Sequence, residues 1–150
     1  MKEIVKPLMQ WYAKHARTLP WRSDPTPYHV WLSEIMLQQT RVEAVIGYYD
    51  RFLEELPDVQ SLAAVSEERL LKLWEGLGYY NRARNLQKAA VQICEQYQGK
   101  FPESYEEWLA LPGIGAYTAG AVTSIAFGKK EAAVDGNVYR IYTRLYADDT

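Results

Sequence analysis

An all-α domain is what this sequence predicts, on three observations. Apolar residues recur at three- and four-residue spacing along almost the whole chain, no segment sustains period-two alternation, and helix start and stop residues follow one another at short intervals. Residues 3–15 make a first helix, with Ile4, Val5, Leu8, Trp11 and Tyr12 on one face. TLPWRSDPTPY then breaks it with three prolines. Thr26 as N-cap and Pro27 at the first helical position start a second helix, through about Gln39. Thr40-Arg-Val-Glu43 has the capping-box pattern and opens a third, running to about Leu56 and closed by Pro57. Short helices follow near 59–64 and 67–75, separated by Ser66. GLGYYNRARNL leads into a long helix to about Tyr97, stopped by Gly99. Ser104-Tyr-Glu-Glu107 is a second capping box, opening a short helix that ends at Pro112. A glycine hairpin at 113–115 leads to a helix from about Ala116 to Phe127, with Gly128 as its C′ residue. A last helix follows Asp135, which makes about nine of uneven length.

At 150 residues and 17.3 kDa the chain is one domain. Hydrophobic residues at 48% and charged ones at 24% exclude a disordered chain. The single cysteine, Cys94, excludes a disulfide framework and any multi-cysteine zinc or iron–sulfur site built from this chain alone. MKEIVKPLMQ is no signal peptide, and no long apolar run follows, so the expected compartment is the cytoplasm and no membrane partner is expected. A net charge of −2 argues against a broadly basic DNA-binding surface. The charge is unevenly placed, however: residues 43–68 hold seven acids and one base, whereas 76–100 hold four bases and one acid. The 12 tyrosines and five tryptophans suit a core, an interface or a base-stacking surface, and composition does not choose among these.

Three segments carry chemistry. In Leu111-Pro-Gly-Ile-Gly-Ala-Tyr-Thr-Ala-Gly120, Gly113 and Gly115 let the chain turn tightly between two helices and aim successive N–H groups outward. The start of the next helix adds its positive dipole end, so the helix–hairpin–helix makes a phosphate seat without a basic side chain. Val134-Asp-Gly-Asn-Val138 sets Asp135 where a helix begins, as an N-cap or as a catalytic carboxylate. In Trp31-Leu-Ser-Glu-Ile-Met-Leu-Gln-Gln-Thr40, Glu34 has Val30, Trp31, Leu37 and Gln38 at helical spacing, a mostly apolar stripe that favours a pocket over a solvated face. Glu34 and Asp135 could then flank one substrate as acid and anionic stabiliser.

SEIMLQQTRVEAV, WEGLGYYNRARNL, LPGIGAYTAGA and VDGNVYRIYTRL, in this order, resemble the adenine DNA glycosylases of the MutY type, within the helix–hairpin–helix base-excision superfamily. The resemblance runs from about Leu19 to Leu145. It implies the helix–hairpin–helix glycosylase fold: a six-helix barrel-type module at about 22–135, with 1–21 and 136–150 belonging to a second, adjoining helical module. Bifunctional relatives such as endonuclease III carry a lysine in the hairpin that attacks the sugar. Tyr117 stands there in this chain, which implies a monofunctional enzyme that leaves an abasic site.

The resemblance also distributes roles. Glu34 matches the acid that protonates adenine, and Asp135 the carboxylate that stabilises the cationic sugar. Tyr117 and Asn137 match polar groups that position the site and the attacking water. Trp21 and Arg22 match residues at the flipped adenine. Gln39, Leu77 and Tyr79 match residues that push into the base stack as the nucleotide leaves it, although core packing is the alternative for Leu77 and Tyr79 and stays strong for Leu77. The implied partner is double-stranded DNA carrying A:8-oxoguanine or A:G mispairs, bound by a nucleoid-associated monomer of bacterial type. Full-length members continue past this length with four cysteines of a [4Fe–4S] cluster and a domain that reads 8-oxoguanine. The chain is therefore expected to be a truncated core that binds no metal itself and leaves Trp11 and Tyr12 exposed. Two alternatives stand beside this reading: a G:T/U mismatch glycosylase of the same superfamily, and a non-catalytic helix–hairpin–helix DNA-binding module.

Overall fold

The computed structural model describes residues 2–15 and 19–129, and the regular structure among them is helical throughout. The helices are α1 (Lys2–His15), α2 (Pro20–Ser23), α3 (Pro27–Leu37), α4 (Val42–Glu55), α5 (Val59–Ala64), α6 (Glu67–Trp74), α7 (Asn81–Gln96), α8 (Tyr105–Leu109) and α9 (Ala116–Phe127). The expected helix after Asp135, and Asp135 and Asn137 themselves, lie outside the described residues.

Three helix starts are made by side chains at the expected positions. Thr26 Oγ1 accepts from the His29 N–H at 3.2 Å and opens α3 behind Pro27. Ser66 caps α6 through the Arg69 N–H at 3.1 Å, and Ser104 caps α8 through the Glu107 N–H at 3.2 Å. Gly128, at φ 66°, closes α9 in the left-handed region. Four local readings need correction. The proline-rich break contains the short helix α2, because Pro20 at its first position fits the helical φ and lacks only an N–H that would go unused there. The α3 helix stops at Leu37 rather than Gln39, since Gln38 is extended and Gln39 is left-handed at φ 61°. The Thr40 capping box does not form: Arg41 is the N-cap of α4, without a side-chain bond. Thr40 instead accepts a hydrogen bond from Arg82, so a tertiary partner wins over the local one. The α8 helix ends at Leu109, ahead of Pro112. A reciprocal box does exist where none was expected: Ser61 N–H donates to Asp58 Oδ1 at 2.8 Å, and Asp58 N–H to Ser61 Oγ at 3.2 Å.

Two helix pairs share one core. The α3 helix packs on α9 and α5 packs on α7, while α4 joins α3 to α6 and α6 leans on α7. Between them lie Trp31, Trp74, Trp108, Phe52, Leu32 and Ile93, all fully buried. Trp108 stacks on Phe101 at 5.9 Å and meets Trp31 edge-on at 5.8 Å, and its indole N–H donates to the Pro102 carbonyl at 2.6 Å. Residues 118–123 of α9 are buried and small, which lets its backbone approach α3 closely. The apolar face of α1 is turned outward, with Trp11 55% and Tyr12 44% exposed. Among the described residues no helix is long and apolar enough to cross a membrane.

Candidate active site and nucleic-acid interface

A cleft of about 1100 Å³ opens between α2, α3 and the start of α9. Its wall includes Trp21, Arg22, Glu34 and Tyr117, four residues that the sequence marks as site residues, together with Gly115 of the hairpin. They arrive from three helices, Trp21 and Arg22 from α2, Glu34 from α3 and Tyr117 from α9. Trp21 of α2 is buried edge-on against Tyr49 at 5.2 Å, which fixes the neighbouring Arg22 at the mouth. The Arg22 guanidinium lies 5.9 Å from the Tyr12 ring centroid, so α1 also reaches the cleft. Glu34 is half-buried on the α3 face that the apolar stripe predicts. Tyr117, in the first turn of α9, is 37% exposed and faces the same space. The cleft therefore offers a carboxyl, a guanidinium and a phenol around one volume large enough for a nucleobase.

One turn, at Gln38 and Thr40, lines this cleft, and a second, at Leu77–Tyr79, is joined to it through Arg82. Gln39 at φ 61° and Tyr79 at φ 51° are left-handed non-glycine residues, a conformation that costs on the order of 1–3 kcal/mol unless the surroundings impose it. Gln39 is exposed and Tyr79 is 65% exposed, whereas Leu77 is only 7% exposed and belongs to the core cluster. Both turns converge on Arg82, at the start of α7. Its Nη1 donates to the carbonyls of Ile35 at 2.8 Å, Met36 at 3.1 Å and Gln38. Its Nη2 donates to Thr40 Oγ1 at 3.4 Å and to the carbonyls of Leu77 and Gly78, each at 3.3 Å. The guanidinium also lies over the rings of Trp74 and Tyr79, at 5.4 and 5.7 Å. Burial pulls its pKa below the ordinary arginine value.

The hairpin glycines differ in what they require. Gly113 has φ 76°, and a methyl group there would meet the Asn85 Cβ at 2.9 Å. Gly115 has an ordinary φ of −96°, and a methyl group on it would meet nothing within 4 Å. The first glycine is thus demanded by the protein's own packing, whereas the second leaves the backbone bare toward the outside. Gly113→Ala is expected to cost about 1–3 kcal/mol of stability and Gly115→Ala under about 1 kcal/mol, as read by urea unfolding. Equal costs would remove the distinction.

Sequence reasoning passed over Arg82, Arg41 and Tyr12. Arg41 and Tyr12 line the cleft, and Arg82 organises the turns beside it. Arg82 stands inside a motif that was recognised, but its acceptors lie up to 47 residues away, and no local pattern encodes such a contact. Cys94 is partly buried, with its thiol directed at the Val59 carbonyl at 3.9 Å. Among the described residues no group of three His, Cys, Asp or Glu could hold a metal ion. A [4Fe–4S] cluster needs about four thiolate ligands, and these residues do not supply them.

An all-helical domain with a hairpin of this kind beside an acid-bearing cleft defines a helix–hairpin–helix protein. Residues 32–150 match the family described as "HhH-GPD superfamily base excision DNA repair protein". The chain belongs to that superfamily. It is 45% identical over 141 residues to a protein named adenine DNA glycosylase from Buchnera aphidicola subsp. Baizongia pistaciae, a match that spans 93% of this chain and 40% of the relative. Over 93% of its length it is 46% identical to proteins of the same name from Mus musculus and Homo sapiens, of which it covers 29% and 27%. The chain thus spans less than half the length of these curated relatives. Among solved structures it is similar to a thermostable thymine-DNA glycosylase, with a TM-score of 0.89 and 31% identity over 95% of this chain and 66% of that one. It is also similar to a trapped endonuclease III–DNA covalent intermediate, with a TM-score of 0.84 and 28% identity over 96% of this chain and 67% of that one.

Proposed function

We propose that this chain is the catalytic core of a monofunctional adenine DNA glycosylase, which removes adenine mispaired with 8-oxoguanine or guanine from double-stranded DNA. The observation that carries this reading is the single cleft shared by Glu34, Tyr117, Arg22 and Trp21 next to the hairpin. The hairpin and the positive end of α9 suit a backbone phosphate. Duplex DNA hides the glycosidic bond, so the nucleotide must turn out of the stack into the cleft, at a cost of a few kcal/mol. Glu34 then gives its proton to adenine N7. The C1′–N9 bond breaks, and its electron pair leaves with the neutral base. Positive charge left on the sugar is stabilised by a carboxylate, the role assigned to Asp135. A water positioned by Tyr117 and Asn137 bonds to C1′, and its proton restores the carboxyl group of the site. Tyrosine at position 117 offers no amine for attack on the sugar, so the product is an abasic site with its strand intact. The protein is taken to act as a nucleoid-associated monomer in the cytoplasm. A [4Fe–4S] cluster belongs in this proposal only to segments outside the present sequence.

The likeness to a thymine-DNA glycosylase supports a second reading, in which thymine or uracil opposite guanine is the substrate. Single-turnover base release from duplexes that differ only at the mispair decides between the two. Adenine release from A:8-oxoguanine or A:G, with thymine and uracil opposite guanine left in place, is the expected result. Release of thymine or uracil alone establishes the second reading. Binding to duplex DNA without release of any base would overturn both and leave a DNA-binding module.

A further inference from the structure

We propose that Arg82 is a positioning residue that fastens the Gln39 and Tyr79 turns to each other, so that the two act as one rigid wedge when a nucleotide is turned out of the duplex. The wedge role rests on the base-flipping reading above; the coupling of the two turns does not. The α3 helix ends with the Met36 carbonyl and with the Ile35 carbonyl, which also accepts from the Gln38 N–H at 3.3 Å, and this negative end receives the Arg82 cation. The same Nη1 holds the Gln38 carbonyl and Nη2 holds Thr40 Oγ1, so Gln39 is gripped on both sides. From the other turn, the Leu77 and Gly78 carbonyls that lead into Tyr79 bind Nη2, and the Tyr79 ring lies against the guanidinium face. One planar fork therefore over-determines two left-handed residues roughly 40 positions apart in sequence, as such strained residues require. Both residues are exposed, with an amide and a phenol, and the Gln39 turn lies at the cleft through Gln38 and Thr40. Holding an exposed aromatic ring in a costly conformation has a purpose where the ring must enter a base stack at a set distance from the pocket.

Arg82→Lys tests this, because lysine keeps the charge but has neither the plane nor the number of donors. In the free protein, amide exchange at 37–40 and 77–80 is expected to rise together by at least about tenfold, with α5 unchanged. On DNA, single-turnover adenine release should fall by at least about tenfold from a fully paired A:8-oxoguanine duplex. From the same adenine in a one-nucleotide bulge, already free of its partner, it should fall less than about threefold. Faster exchange confined to one turn overturns the coupling, and equal losses on the paired and bulged substrates overturn the wedge role. Should the wild-type protein release no adenine from either substrate, the glycosylase reading fails while exchange still decides the coupling. If Arg82→Lys does not fold, Thr40→Val removes one acceptor from the first turn, and faster exchange at 77–80 in that variant is the same result. Unchanged exchange there overturns the proposal.

Discussion

Glu34→Gln should lower single-turnover adenine release by at least about a hundredfold while leaving duplex affinity within about a factor of two. The substitution removes a transferable proton and almost no volume, and Glu34 lines the cleft. Glu34 is half-buried, with Val30, Trp31 and Leu37 at helical spacing around it. A glutamine variant that releases adenine at the wild-type rate would show that the proton comes from elsewhere. A variant that loses release and binding in equal measure would make Glu34 a binding residue.

The second large effect concerns stability. Trp108→Ala is expected to cost about 3–5 kcal/mol in urea unfolding. The indole is fully buried, stacked on Phe101, edge-on to Trp31 and bonded to the Pro102 carbonyl. Alanine there opens a cavity and leaves that carbonyl without its donor, so two penalties coincide. Trp108 also sits on α8, the helix that delivers the chain into the hairpin. Trp108→Phe should recover most of the packing and lose only the hydrogen bond, about 1 kcal/mol. A loss below about 1 kcal/mol for alanine would mean that the aromatic cluster is not what holds α8 in place.

Helix content was readable from the sequence because period and caps are local signals. The Thr26, Ser66 and Ser104 starts and the Gly128 stop are set within four residues of themselves. Thr40 shows where that reasoning fails. Its local partner was available, yet a guanidinium from α7 engages it, and the helix begins one residue later with no side-chain cap. The wall of the candidate site was partly legible as well. An acid on an apolar stripe and a tyrosine after a glycine hairpin are unusual enough in sequence to be marked, and the fold brings them to one cleft. What joins the flanking turns was not legible, because Arg82 reads as an ordinary helix-start charge until α3 is packed beside it. The exposed face of α1 was anticipated, and Asp135 and Asn137 lie outside the described residues.

The bare backbone at Gly115 has one more consequence. A seat made of main-chain N–H groups is specified by the path of the chain and not by any side chain's chemistry. Substitutions can remove charge from the surrounding surface without removing a single donor from the seat. Only proline, which has no N–H, or a change that bends the path can disable it. In the proposed function, such a seat recognises shape and is insensitive to which base the contacted phosphate joins.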